Sequence, residues 1–167
     1  DRFYVVLNGL FAVSNFGSAT VSVLLRNATN NGFTADAGSP IAVGTQPAGL
    51  ATADFNGDGR ADLAVANSGA ASVSVLLRQA SGGFAPDSGS PYSVSAVPIG
   101  LGAADFNGDG SSDLAVASNS TGQVTVLLHQ AAGGFAVDAG SPMSVPNAYF
   151  PAPADFNVAL VTDIPAT

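Results

Sequence analysis

The chain has 167 residues and a formal charge of −8; all twelve acidic residues are Asp and all four basic residues are Arg. Four scattered Arg cannot lay down the basic stripe that neutralises phosphates or anionic lipid, so nucleic acid and membrane surfaces are excluded as partners, and the acidity suits a cation instead. With no Cys there is neither a disulfide framework nor a thiolate zinc site, and the longest apolar stretch, Phe3 to Val13, is broken by Asn8-Gly9 and too short to be a transmembrane helix.

Asp1 and Arg2 make a poor basic start for a signal peptide, which suggests a mature chain whose targeting segment has gone. Two apolar runs follow, Phe3 to Leu7 and Leu10 to Val13, with Asn8-Gly9 between them. That is a strong two-residue hairpin signal. Val21-Ser-Val-Leu-Leu-Arg26 is the next strand, followed by Gly32-Phe33, Asp36 and Gly38-Ser39-Pro40.

From Leu50 the same order recurs with an added feature. Leu50 to Phe55 leads into an acidic loop, Leu63 to Ala66 leaves it, and Ser68-Gly69 marks a turn. Val73 to Leu77 is a third strand, Gly82-Gly83 a second turn, and a weaker fourth strand is expected around Tyr92 to Val97, ended by Pro98. Ala53-Asp-Phe-Asn-Gly-Asp-Gly-Arg-Ala-Asp-Leu-Ala-Val-Ala66 returns as Ala104-Asp-Phe-Asn-Gly-Asp-Gly-Ser-Ser-Asp-Leu-Ala-Val-Ala117, an offset of about 51 residues. Val124-Thr-Val-Leu-Leu-His129, Phe135, Asp138 and Gly140-Ser141-Pro142 complete this third unit, and Ala154-Asp-Phe-Asn157 begins a fourth.

The units are 1–48, 49–99 and 100–150, with 151–167 a partial unit or an exchanged strand. Together they form one all-β repeat domain that leaves no room for another. Four short strands in about 50 residues is the size of one propeller blade. A β-sandwich is the competing architecture, but it has no need of tandem near-identity.

Asp54, Asn56, Asp58 and Asp62 stand at loop positions 1, 3, 5 and 9, as do Asp105, Asn107, Asp109 and Asp113. Alternate residues of a tight loop point to a common centre, and Gly57 and Gly59 permit the positive φ such a turn needs. Carboxylates brought that close repel unless a cation joins them. Hard oxygen donors in this number select Ca²⁺, with Arg60 or Ser111 adding a backbone carbonyl at position 7, and about two ions per chain would halve the formal charge of −8. An EF-hand begins similarly but needs a Glu at position 12, where this chain has Val65 and Val116. A metal-free Asn-Gly and Asp-Gly hairpin is the plainer reading, and two full copies with the closing Asp in place weigh against it.

The signature Asp-Phe-Asn-Gly-Asp-Gly-x-x-Asp-Leu-Ala-Val resembles the FG-GAP or VCBS repeat family, found in integrin alpha-subunit propellers and many bacterial surface proteins. The resemblance covers essentially the whole chain. It implies tandem four-stranded β-propeller blades with a Ca²⁺ in the loop joining each blade's first two strands. By motif match one site is Asp54, Asn56, Asp58, Arg60 and Asp62, and the other is Asp105, Asn107, Asp109, Ser111 and Asp113. In the first unit Arg2, Tyr4, Val6 and Leu10 occupy the ligand positions, so a metal-free hairpin replaces the ion loop. The last unit keeps Asp155, Asn157 and Asp163 but has Ala159 at the third position, which argues against a third ion.

Propellers close with roughly four to eight blades. Three blades and a partial fourth do not, and Val158 to Ile164 would be left as an apolar edge open to another chain. Three outcomes follow: the chain is a piece of a longer propeller, copies of it close a ring, or its spare strands complete a blade in the next subunit. The irregular first and last units favour self-assembly, and the expectation is a secreted or cell-surface structural protein that assembles with copies of itself. The alternative is an adhesion module binding a glycan or protein, although no aromatic cluster marks a sugar platform. Phe33, Phe84 and Phe135 recur at equivalent positions and are expected in the core, and Asp36, Asp87 and Asp138 recur as turn hydrogen-bonders. His129 is the one His, and it stands where the other units have Arg26 and Arg78, so it reads as a surface strand end. With no nucleophile elbow or zinc set, no enzyme activity is expected. Asn27-Ala28-Thr29 and Asn119-Ser120-Thr121 match the N-glycosylation pattern and matter only in a host that glycosylates.

Overall fold

The computed structural model describes residues 4–7, 9–27, 31–95, 97–118 and 120–145. All fifteen elements within them are β-strands, arranged as three antiparallel sheets in chain order. The first sheet holds β1 (Tyr4–Leu7), β2 (Leu10–Asn15), β3 (Thr20–Arg26), β4 (Phe33–Ala35) and β5 (Ile41–Ala42). The second holds β6 (Pro47–Ala53), β7 (Asp62–Asn67), β8 (Ser72–Arg78), β9 (Phe84–Pro86) and β10 (Tyr92–Ser93). The third holds β11 (Pro98–Ala104), β12 (Asp113–Ser118), β13 (Gln123–His129), β14 (Phe135–Val137) and β15 (Met143–Ser144). Leu7 pairs with Leu10 across the expected tight turn, with Gly9 at φ 82°. Asn8 and Phe3 lie outside the described residues, as do Ala154 to Asp163 and Asn119.

The fourth strand differs from expectation. It is split into two pieces lying end to end against the third strand, β9 on Leu76 to Arg78 and β10 on Ser72 and Val73. Pro98 opens β11 instead of ending the strand before it, a position where its missing N–H is tolerated. The break is filled by the Gly-Ser-Pro motif. The Val75 N–H donates to the Ser90 hydroxyl at 2.9 Å, while Asp87 N–H donates to the Val75 carbonyl at 2.9 Å. Ser39 and Ser141 accept from Val23 and Val126 in the same way, each at 2.9 Å. One hydroxyl thus replaces the ladder acceptor that the turn removes.

Strand alternation gives each sheet two unlike faces. Ala12, Val21 and Val23 of the first sheet pack on Leu63, Val65 and Leu76 of the second. The second sheet's other face, with Ala64, Ala66, Val73 and Val75, packs on Leu114, Val116 and Leu127 of the third. So a face of small residues meets a face of large ones at both interfaces, and β7 is buried along its whole length. The leading strands also approach closely: a Cβ on Gly49 would lie 2.4 Å from the Ile99 carbonyl oxygen. Phe84 and Phe135 pack against these cores, but Phe33 is 46% exposed. That corrects its expected core placement, and the reason is that it lies on the face of the first sheet that no other described sheet covers.

Candidate metal centre

Both acidic loops join the first two strands of their sheets, β6 to β7 and β11 to β12. Asp54 organises the first. Its Oδ1 accepts from the N–H of Gly57 at 2.8 Å and of Asp58 at 3.1 Å, and its Oδ2 accepts from Gly59 at 2.7 Å. These bonds need Gly57 at φ 74° and Gly59 at φ 80°, where a side chain would be strained. Asn56 Oδ1 accepts from Asp58 N–H at 3.1 Å, and Asp58 Oδ1 from Arg60 N–H at 2.9 Å. The second loop repeats the scheme: Asp105 accepts from Gly108 at 2.7 Å, Asp109 at 3.2 Å and Gly110 at 2.8 Å, and Asp109 accepts from Ser111 at 2.8 Å.

The closing Asp plays a second part. Asp62 and Asp113 are fully buried. Asp62 takes the Phe55 N–H at 2.9 Å and the Arg78 N–H at 2.7 Å, and Asp113 takes Phe106 at 2.9 Å and His129 at 2.7 Å. Each therefore ties the loop's start to the end of the third strand. Sequence reasoning had assigned these residues to an ion alone, and a backbone bond across 16 positions leaves no local signal.

The loops differ at position 7. Arg60 pairs with Asp58 and sends its Nε to the Arg78 carbonyl at 3.1 Å, whereas Ser111 brings no charge. Burial pushes the Asp62 carboxyl up; the bonds from Arg78 and Phe55 pull it back, and the charges of Asp58 and Asp54 add to the rise. For Asp54 burial is outweighed by the N–H groups of Gly59, Asp58 and Gly57, which hold it below its usual value. Asp109 is held low chiefly by the Asn107 side chain and then by the Ser111 N–H.

Among the described residues no three carboxylates or imidazoles are drawn tightly enough together to enclose an ion. Asp54 and Asp105 turn their oxygens to backbone N–H groups, and the second oxygens of Asp58 and Asp109 accept from the Asn56 and Asn107 amides. The donor set nonetheless suits a hard divalent cation. Three carboxylates and an Asn amide oxygen come from each loop, with the Arg60 guanidinium added in the first, and Asp54 and Asp58 are near enough to Asp62 to feel one another's charge. Asp36 and Asp138 do bond within their turns, to Ala37 N–H at 2.8 Å and Gly140 N–H at 3.0 Å, while Asp87 accepts from the Tyr92 hydroxyl.

The sequence profile of the FG-GAP-like repeat matches residues 10–65 and again 54–116. The chain belongs to the FG-GAP-like repeat family. The first match begins inside the hairpin sheet that lacks an acidic loop, so the family pattern extends to that unit as well. No curated protein matches the chain. Among solved structures it resembles a protein from Lactobacillus plantarum, at 16% identity and a TM-score of 0.62, covering 83% of this chain and 40% of that one. A functionally unknown protein from Desulfotomaculum acetoxidans matches at 21% identity and a TM-score of 0.58, covering 78% of this chain and 38% of the other. Both likenesses concern the fold, and the chain spans well under half the length of either protein. Among the described residues no helix is long and apolar enough to cross a membrane.

Proposed function

We propose that this FG-GAP-like chain is an extracellular, calcium-stabilised structural module whose sheets are blades of a propeller-like array and which associates with copies of itself. The observation that carries the reading is the recurrence of one acidic loop, with the same scheme of hydrogen bonds, at the same place in two consecutive sheets. Asp54, Asn56, Asp58, Asp62 and the Arg60 carbonyl would hold one ion, and Asp105, Asn107, Asp109, Asp113 and the Ser111 carbonyl the other. Calcium there supplies the positive charge that relieves the repulsion among the three carboxylates of each loop. With no bidentate Glu available, the affinity belongs to the weaker, extracellular range of calcium modules. No catalytic step is part of this reading. Calorimetry should find two calcium ions per chain, with Asp58→Ala and Asp109→Ala each removing one. Two ions retained in the double variant would sink the reading.

Self-association is supported by the two outer faces that no other described sheet covers. The first sheet presents large residues outward: Phe11 lies 5.6 Å from Tyr4 and 6.1 Å from Phe33, in a continuous aromatic row. The third sheet's outward positions are Val124, Val126 and Leu128, the repeat equivalents of Val73, Val75 and Leu77. Large-on-small is the pairing at both interfaces already formed, so a third-sheet face of one copy complements the first-sheet face of another. Such a head-to-tail contact gives a ring if it closes and a filament if it does not. Sedimentation velocity should show concentration-dependent association that Val126→Asp abolishes. A strictly monomeric wild-type chain at micromolar concentration in calcium would refute this part.

A further inference from the structure

The two inter-sheet contacts are built from equivalent residues with one exchange. At the first, Arg78 ends β8, lays its guanidinium 5.0 Å from the Phe84 ring centroid, and pairs with Asp36 of the preceding sheet. Asp36 is buried, so ring and carboxylate together form a socket that the chain's own cation fills. At the second contact the ring is Phe135 and the carboxylate is Asp87, but the cation's position is held by His129, paired with Phe135 as Arg78 is with Phe84.

The shorter imidazole does not fill the space. His129 stands edge-on to Phe135 with centroids 5.5 Å apart, and a cavity of about 240 Å³ remains, lined among others by Phe55, Asn56, Asp87, His129 and Phe135. Tyr92, where the first unit has Ile41, donates its hydroxyl to Asp87. That bond leaves the negative charge in place, and among the described residues the ion pairs are those of Arg60 with Asp58 and Arg78 with Asp36. The cavity thus has the ring and the carboxylate of the first socket, an added amide from Asn56, and no guanidinium. Its volume is several times the roughly 30 Å³ share of one water, enough for a guanidinium on a short aliphatic stem.

We propose that this cavity binds a guanidinium group supplied from outside the chain, stacked on Phe135 and paired with Asp87. The group could be carried by a small free cation or by an arginine side chain of another polypeptide; the recognising chemistry is the same. The proposal does not depend on calcium binding, although Asn56 borders both features.

The test uses the whole chain in excess calcium, so that the acidic loops cannot act as the cation site. Methylguanidinium is titrated while the Hε1 resonance of His129, the one histidine in the chain, is followed by NMR. A saturable shift is expected, absent with neutral methylurea. Asp87→Asn should weaken binding roughly ten-fold, the loss of one charge-assisted contact. His129→Arg should abolish it, with the Phe135 ring resonances as readout, because the new side chain fills the socket as Arg78 fills the first. A capped Gly-Arg-Gly peptide forms the second arm: tighter binding than methylguanidinium assigns the source to a polypeptide, equal binding to a small cation. Absence of saturation with both probes, an equal response to methylurea, or undiminished binding in both variants overturns the proposal.

Discussion

Asp62 accepts the Arg78 backbone N–H at 2.7 Å, a bond across 16 positions that makes the last residue of the acidic loop a clamp on the end of β8. Its other oxygen holds the Phe55 N–H at 2.9 Å. Removing both acceptors leaves two N–H groups without partners in a buried place. We expect Asp62→Ala to cost about 3 kcal/mol in chelator, where no ion contributes. Asp62→Asn keeps one acceptor and should cost about half as much, and Asp58→Ala, whose bonds are exposed, less than about 1 kcal/mol. Urea denaturation ranks the three; equal losses at Asp62 and Asp58 would show that the clamp contributes nothing.

Arg60 already places a positive charge on Asp58, and Ser111 has no counterpart to it. A calcium ion in the first loop must share Asp58 with that guanidinium, so the first loop should bind more weakly than the second. Arg60→Ser is expected to tighten the first site about three-fold to ten-fold and leave the second unchanged. Calorimetry on the wild type and the variant resolves the two sites. An unaltered first site would mean that the guanidinium leaves Asp58 when the ion arrives.

Much of the architecture was legible because it repeats. The strands Leu63 to Ala66 and Val73 to Leu77 lie within β7 and β8, and the Asn8-Gly9 signal marks a real hairpin closed by Leu7 and Leu10. The interrupted outer strand was not legible. Ser90 serving as a ladder acceptor for Val75 depends on a side chain folding back across 15 positions, and nothing in the local pattern announces it. The dual part of Asp62 was hidden for the same reason. Motif spacing describes what a residue offers to an ion, while its backbone partners are set by the sheet. The exchange of Arg78 for His129 was visible as a substitution, but its consequence, a cavity, depends on the neighbouring sheet.

Close approach of the leading strands at Gly49 yields a packing prediction. A methyl group there would lie 2.4 Å from the Ile99 carbonyl oxygen, and a backbone atom inside a sheet cannot swing aside. Gly49→Ala should therefore cost about 1 to 3 kcal/mol by forcing the second and third sheets apart. Gly17→Ala is the control, because a Cβ there meets nothing within 4 Å. Thermal unfolding compares them; an equal melting temperature for both variants would contradict the contact.

Tyr92 gives the clearest pH signature. Burial, the hydrogen bond to Asp87 and that carboxylate's negative charge all disfavour the phenolate, so the phenol is pushed well above its ordinary value of 10.0. The native protein therefore holds this proton more tightly than the unfolded chain does. The resulting stability is fully present below pH 10 and is lost as pH rises beyond it, because only the unfolded chain then gains by releasing the proton. Phenolate absorbance should show Tyr92 ionising later than an ordinary tyrosine, as identified by subtracting the titration of Tyr92→Phe. Asp87→Asn removes the charge while leaving Tyr92 an acceptor, and should bring the titration back toward the ordinary value. If Tyr92 ionises normally in the wild-type protein, its hydroxyl does not face Asp87, and the carboxylate side of the cavity must be arranged differently.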